Sequence, residues 1–348
     1  MRLKRTLPIA LAVVIIAAAL FAAVQLRKHA PPEPARLLPG ADAFFYVDYS
    51  WIRKANNDKP FLPVAHDAEY ERFIQETGFD FDRDLDAAAF AVHYPERWPS
   101  GGTGGSAPEP RFSEVFSAHF DIAKCSAYFR RMAKSVENYR SVEIFTIPIY
   151  GRPFRIAILG VDTVAASNHE DPELIRGIVD RSRRLASPFG GPSMLRRYYK
   201  RVQLASPVWV VAHVDPSDPP FEGWSTVFPK AADLVVSASY NPLLRPLHSG
   251  ALHLRAEAWA DSDASARAIA DKVKLFLTMF HSAEASVGSP GSDADLNALF
   301  NSLQVTQEDS RAVLSATLPT GLLHKVVESP EQMQLNTPEP QAQPKAKH

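Results

Sequence analysis

The chain has one cysteine, Cys125, in 348 residues. A lone thiol closes no intrachain disulfide and makes any CxxC redox or zinc site impossible, so an apolar core has to hold the fold. Cys125 falls on the apolar stripe of a predicted helix, where a thiol is a small buried hydrophobe rather than a nucleophile. Positive charge is also scarce where a nucleic-acid binder needs it. The five bases of the first 28 residues come without an acid, which leaves 33 bases against 39 acids in the rest. That balance offers no footprint for a phosphate backbone and speaks against nucleic-acid binding.

Common metal and catalytic spacings are missing too. The eleven histidines include no HxxxH and no HxH, the spacings that put two imidazoles on one metal. The acidic run Asp80, Asp82, Asp84 and Asp86 has Leu85 and Ala91 where a calcium loop requires Gly and Glu. It reads as a solvated turn, behind a helix capped by Asp67 and closed by Gly78. The glycine-rich stretch 100–106 continues into Ala107-Pro108-Glu109-Pro110 rather than Gly-Lys-Ser, which makes it a hairpin connection and not a phosphate cradle. His169, Glu170 and Asp171 precede Pro172, a helix start with Asp171 as its cap. Gly191-Pro192-Ser193-Met194-Leu195 breaks the nucleophile-elbow pattern, no Ser-x-x-Lys occurs, and Ser193 reads as a helix cap. No catalytic residue, cofactor or metal ligand is assigned. These absences lean away from an enzyme and leave open a hydrolase whose site is dispersed along the chain.

What is present begins with a leader. Residues 7–24 are an uninterrupted apolar run, preceded by Arg2, Lys4 and Arg5 and followed by Arg27 and Lys28. Its length suits a bilayer core and exceeds that of a signal-peptide core, so residues 1–28 are expected to form a retained signal anchor or transmembrane helix, with the N-terminus cytoplasmic. A cleaved leader is the rival, and both export the rest. Residues 29–36 follow as a Pro-rich, extended stalk. Residues 329–348, rich in Pro and Gln, read as a disordered tail.

Between them the same order of elements occurs twice. Residues 86–95 match 233–242, and 112–121, with Phe112, Phe116, Ala118 and Phe120 on one face, match 252–261, with Leu252, Leu254, Ala256 and Ala258. Asp121 and Asp261 are placed to cap the helices that follow, whose stripes are Ile122, Cys125, Phe129, Met132, Val136 and Tyr139 in one and Ala266, Ile269, Val273, Phe276 and Phe280 in the other. Further strands are predicted at 44–49 and 208–214, upstream of each pair, and at 142–149, 154–159, 163–167 and 312–318 downstream. The expectation is a duplicated α+β unit, repeat one at 37–190 and repeat two at 191–328, with mostly antiparallel strands and amphipathic helices on one face. The join falls in the Gly/Pro breaker 187–192, and a helix over 193–203 leads into the second repeat.

Polar residues alternate on the outward face of the matched strands: Ser117, His119 and Asp121 in one, His253, Arg255 and Glu257 in the other. Such rows are the wet side of a sheet more often than a ligand site. The strongest charge cluster is Arg181, Arg183, Arg184, Arg196, Arg197, Lys200 and Arg201, interleaved with Tyr198 and Tyr199, a candidate patch for an anionic partner such as lipid headgroups. Solvated helix faces are the plainer reading of it.

The segments LLPGADAFFYVDYSWIRK, ETGFDFDRDLDAAAFAV and IAILGVDTVAAS resemble a loose group of uncharacterised bacterial exported proteins. The resemblance covers the first half of the chain. It implies bacterial origin and an envelope location, and brings no activity or site residues. The expectation is a membrane-anchored extracytoplasmic protein, a non-catalytic binding or interaction module of the envelope, held to the membrane by its N-terminal helix. An envelope hydrolase and a structural or assembly component are the alternatives.

Overall fold

The computed structural model describes residues 30–55, 67–95, 111–183, 190–240, 251–287, 294–319 and 321–322. The signal anchor, the stretch 100–106, Arg184 and the tail 329–348 lie outside them. Among the described residues no helix is long and apolar enough to cross a membrane.

The alternating segments build one twelve-stranded sheet in which every neighbouring pair is antiparallel. At its centre β1 (Ala43–Asp48) pairs with β8 (Val208–Val214), Phe44 facing Val211 and Tyr46 facing Trp209. Outward from β1 come β2 (Leu85–His93), β3 (Arg111–Ala118), β7 (Thr163–Ser167), β6 (Arg152–Ile158), β5 (Val142–Ile149) and the edge strand β4 (Ser135–Tyr139). Outward from β8 come β9 (Ala232–Ser239), β10 (Leu252–Trp259), β12 (Arg311–Leu318) and the edge strand β11 (Gln304–Glu308). On both sides the third strand pairs with the last one of its half. The α+β class and the antiparallel sheet are as the sequence predicts.

Helices cover both faces of the sheet, not one. One face buries Phe44, Tyr46, Ala89, Ala91, Val115 and Trp209 under α1 (Glu33–Leu37), α6 (Glu173–Arg183) and α7 (Ser193–Tyr198). The other lies under α2 (Tyr49–Ala55), α3 (Ala68–Thr77), α4 (Phe81–Asp84) and α5 (Ile122–Met132) in the first half. In the second half that face is covered by α8 (Asp263–Val287), with α9 (Ala294–Ser302) packing on β12. Small residues in the first-face positions of the strands let the helices α1 and α6 come close. The Pro-rich stretch is correspondingly not an extended stalk at its end: Glu33–Leu37 is a helix, and Ala35, Leu37 and Leu38 are core residues.

Several local expectations are corrected. The helix after Asp121 stops at Met132, and Val136 and Tyr139 belong to β4, because Arg140 and Ser141 take positive φ (50° and 62°) and turn the chain into a hairpin with β5. Ser193 is the first residue of α7 and gives no side-chain cap. α7 ends at Tyr198, followed by a 3₁₀ turn at Tyr199–Arg201. Asp261 instead pairs with Lys230 (2.8 Å), and Ser262 Oγ accepts from the Ser265 amide at the start of α8. Gly191, within the expected join, has φ of 106°, and a Cβ there would come 3.4 Å from the Arg36 backbone, so Gly191 packs on the end of α1.

Candidate functional site

A cavity of about 630 Å³ opens in the first half, between the second face of the sheet and the helices above it. Its floor comes from four neighbouring strands: Ala88 and Phe90 on β2, Glu114 and Phe116 on β3, Val164 and Ala166 on β7, Phe154 and Ile156 on β6. The register puts Glu114 opposite Phe90 on one side and Ala166 on the other, and Phe116 opposite Ala88 and Val164. Alanine at two of these floor positions leaves space that larger residues would fill.

The roof is aromatic. Asp67 accepts hydrogen bonds from the amides of Glu69 (3.0 Å) and Tyr70 (2.7 Å), which starts α3 where the sequence predicts. Gly78, at φ 74°, ends it in the left-handed conformation. That fixes Tyr70 and Phe73 over the sheet. Asp80 caps α4 by accepting from the Asp82 amide (2.9 Å), which holds Phe81 beside Phe79 (4.8 Å between rings) and Phe116 (6.0 Å). From α5, Tyr128 meets Phe73 edge-on at 5.2 Å. Asp121 caps α5 through the Lys124 amide (3.0 Å), as predicted. Cys125 is buried beneath that helix, and burial pushes its thiol up to about 11, so it has no nucleophilic thiolate at neutral pH.

Glu114 is the unusual member. It is half-buried, it occupies the apolar register of β3 between Phe112 and Phe116, and burial alone pushes its carboxyl up to about 7. The other acids of the lining, Asp67, Glu69 and Asp82, are exposed and form a rim. Among the described residues the lining contains no Lys, Arg, His, Ser or Cys. Sequence reasoning grouped Phe112, Phe116, Ala118 and Phe120 and passed over Glu114, which shares their face. A carboxylate in that register was the available signal.

Of the residues singled out from the sequence, Asp67, Asp82, Phe116 and Phe129 line the cavity, and the others are placed elsewhere. Asp84 is held below the ordinary carboxylate range, against its partial burial, by Arg83 and the Asp80 amide. Asp86 pairs with Arg53 (3.1 Å) and with His119 (3.0 Å). No cluster of three metal-binding side chains occurs among the described residues. Asp171 accepts from the Glu173 amide (2.9 Å) at the start of α6. Of the outward polar rows, His119 and His253 are exposed, but Glu257 is not wet: it is 3% exposed and held by Arg255 (2.7 Å) and Arg311 (3.0 Å). The basic cluster is divided. Arg181 turns inward and donates to the Leu37 carbonyl (2.6 Å), Arg201 lies over the Trp259 ring (4.6 Å) and Arg197 over Tyr198 (5.1 Å). Arg183, Arg196 and Lys200 are exposed.

A serine and a histidine meet at His93 Nε2 and Ser113 Oγ (3.1 Å), with Ser167 Oγ 3.0 Å further on. Ser113 is fully buried, and burial with His169 nearby pushes His93 down to about 4, so the trio is a neutral core network. His213 is paired with Asp233 (2.8 Å), which also accepts from the Tyr198 hydroxyl.

No protein-family model and no curated protein matches the chain. Solved structures similar to it include crystal forms III and IV of TP0453, each at 11% identity, with TM-scores of 0.41 and 0.40, covering 85% and 86% of this chain and 98% of the other. An overlap so loose leaves the reading of the cavity to this chain's own residues.

Proposed function

We propose that the chain is a membrane-anchored, extracytoplasmic binding module of the bacterial envelope, and that its first-half cavity holds an apolar or amphiphilic small molecule. The observation that carries this is the lining: aromatic and aliphatic side chains around about 630 Å³, within the ordinary size of ligand pockets, with one carboxylate inside. Among the described residues the lining offers carboxylates and phenols but no Ser, Cys, His or Lys, which favours binding over the hydrolase reading. The apolar run at 7–24 with its flanking bases supports the anchor.

The two halves fit an internal duplication. The support is the strand order: outward from β1 and from β8 the chain lays down three consecutive strands, then helix, one in the first half and two in the second, then antiparallel strands, four and two, whose last returns beside the third.

The test is titration of the purified full chain with Nile red, a neutral apolar dye. Saturable binding with a blue-shifted emission is expected. Ala166→Phe, which projects a ring from the floor, is expected to raise Kd at least tenfold. Unaltered affinity in that variant would overturn the assignment.

A further inference from the structure

Glu114 specifies the ligand more narrowly. Its carboxylate enters the cavity from the middle of the floor, and no cation or hydrogen-bond donor among the described residues meets it. The other charged or titratable groups facing this space are Tyr49 of α2, Asp67, Glu69 and Tyr70 at the start of α3, Asp82 of α4 and Tyr128 of α5; β2, β6 and β7 add none. The wall thus carries carboxylates and phenols and, among the described residues, no cationic side chain.

Three ligand classes meet that wall differently. A carboxylate or phosphate amphiphile would bring a second negative charge past the rim acids to a site with no positive partner. A neutral apolar molecule would bury Glu114 further with nothing to offer it. An amine brings the missing charge and up to three donors, and the surrounding rings favour a cation over their faces. We propose that the cavity recognises an amphiphilic amine, its ammonium on Glu114 and its apolar part among Phe73, Phe116, Tyr128 and Phe154. This deepens the binding reading above and rests on it. The carboxyl, raised by burial to about 7 while alone, would ionise on meeting the ammonium, so binding near neutral pH displaces a proton from it.

The experiment compares decylamine, decanol and decanoic acid, below their micellar concentrations, on the full chain at pH 7 by calorimetry. The amine is expected to bind at least tenfold more tightly than the alcohol and the acid most weakly. Glu114→Gln is expected to bring the amine to the level of the alcohol. On the unsubstituted chain, titration in two buffers of different ionisation heat should show proton release with the amine and none with the alcohol. This reading needs no variant. Acid binding as tight as amine binding, an amine preference that survives Glu114→Gln, or amine binding without proton release would overturn the proposal. Equal affinity for amine and alcohol also overturns it while leaving the cavity assignment standing; failure of all three probes removes both.

Discussion

Each half of the sheet carries an inward glutamate on its third strand, one buried and one half-buried, and the two are treated in opposite ways. Glu257 on β10 is nearly inaccessible, and two guanidinium groups close on it, one from its own strand and one from β12. Glu114 on β3 lies on the other face, among aromatic rings, with no counter-ion. A buried carboxylate with its charges matched is a tie between strands. One left unmatched beside an empty apolar volume costs the folded state and is explained more readily by a ligand than by architecture. The first half thus carries the proposed binding feature, and the second a matched ion cluster.

The largest test of this contrast is Glu257→Ala, which strands Arg255 and leaves Arg311 with Glu308 and the Trp259 ring alone. A loss of about 3 kcal/mol is expected, since breaking a buried pair from one side leaves charge uncompensated. Urea unfolding at pH 7 measures it, and a loss under about 1 kcal/mol would show that the arginines are solvated well enough without the acid.

Glu114→Gln should have the opposite sign. The carboxyl's folded-state value, about 7, is above its ordinary 4.5, so the folded chain holds the proton more tightly than the unfolded one. The cost of burying the ionised form is absent below the ordinary value, grows as pH rises between the two, and is complete above about 7. The ligand-free chain therefore loses stability over that window, and the glutamine variant does not. At pH 8 the variant is expected to be more stable by about 2–3 kcal/mol. Equal melting temperatures of the two proteins at pH 8 would mean that the carboxylate is solvated or paired.

The smallest effect concerns the helix starts that frame the two halves. Asp67 takes two amides at the head of α3, whereas Ser262 takes one, at 3.3 Å, at the head of α8. Asp67→Ala should cost about 1 kcal/mol and Ser262→Ala less. Amide hydrogen exchange at Glu69 and Tyr70 reports the first loss directly, and faster exchange there should accompany weaker dye binding, because α3 roofs the cavity.

The strands were legible because alternation of apolar and polar residues is a local property. Residues 208–214 were bounded correctly from the sequence, and 142–149 likewise. Caps at Asp67, Asp121 and Asp171 were legible for the same reason, since the acceptor and its amides are within three residues. Where the evidence was longer in range, reading failed. Val136 and Tyr139 continue the helical period of α5 on paper, but pairing with β5 outweighs it. Asp261 is positioned as a cap, yet a distant lysine, Lys230, engages it. The inward row that omitted Glu114 assumed that a charge must face water.

The amino-acid sequence by itself determined the α+β class, the run of antiparallel strands, the starts of α3, α5 and α6 and the inert burial of the single thiol, because each follows from periodicity and contacts between near neighbours. Only the tertiary structure decided that β1 and β8 fuse two halves into one sheet, that helices cover both faces, and that one buried glutamate is neutralised while the other opens into a cavity. Those outcomes depend on which strands become neighbours and how far a helix stands from the sheet, distances that no local pattern encodes.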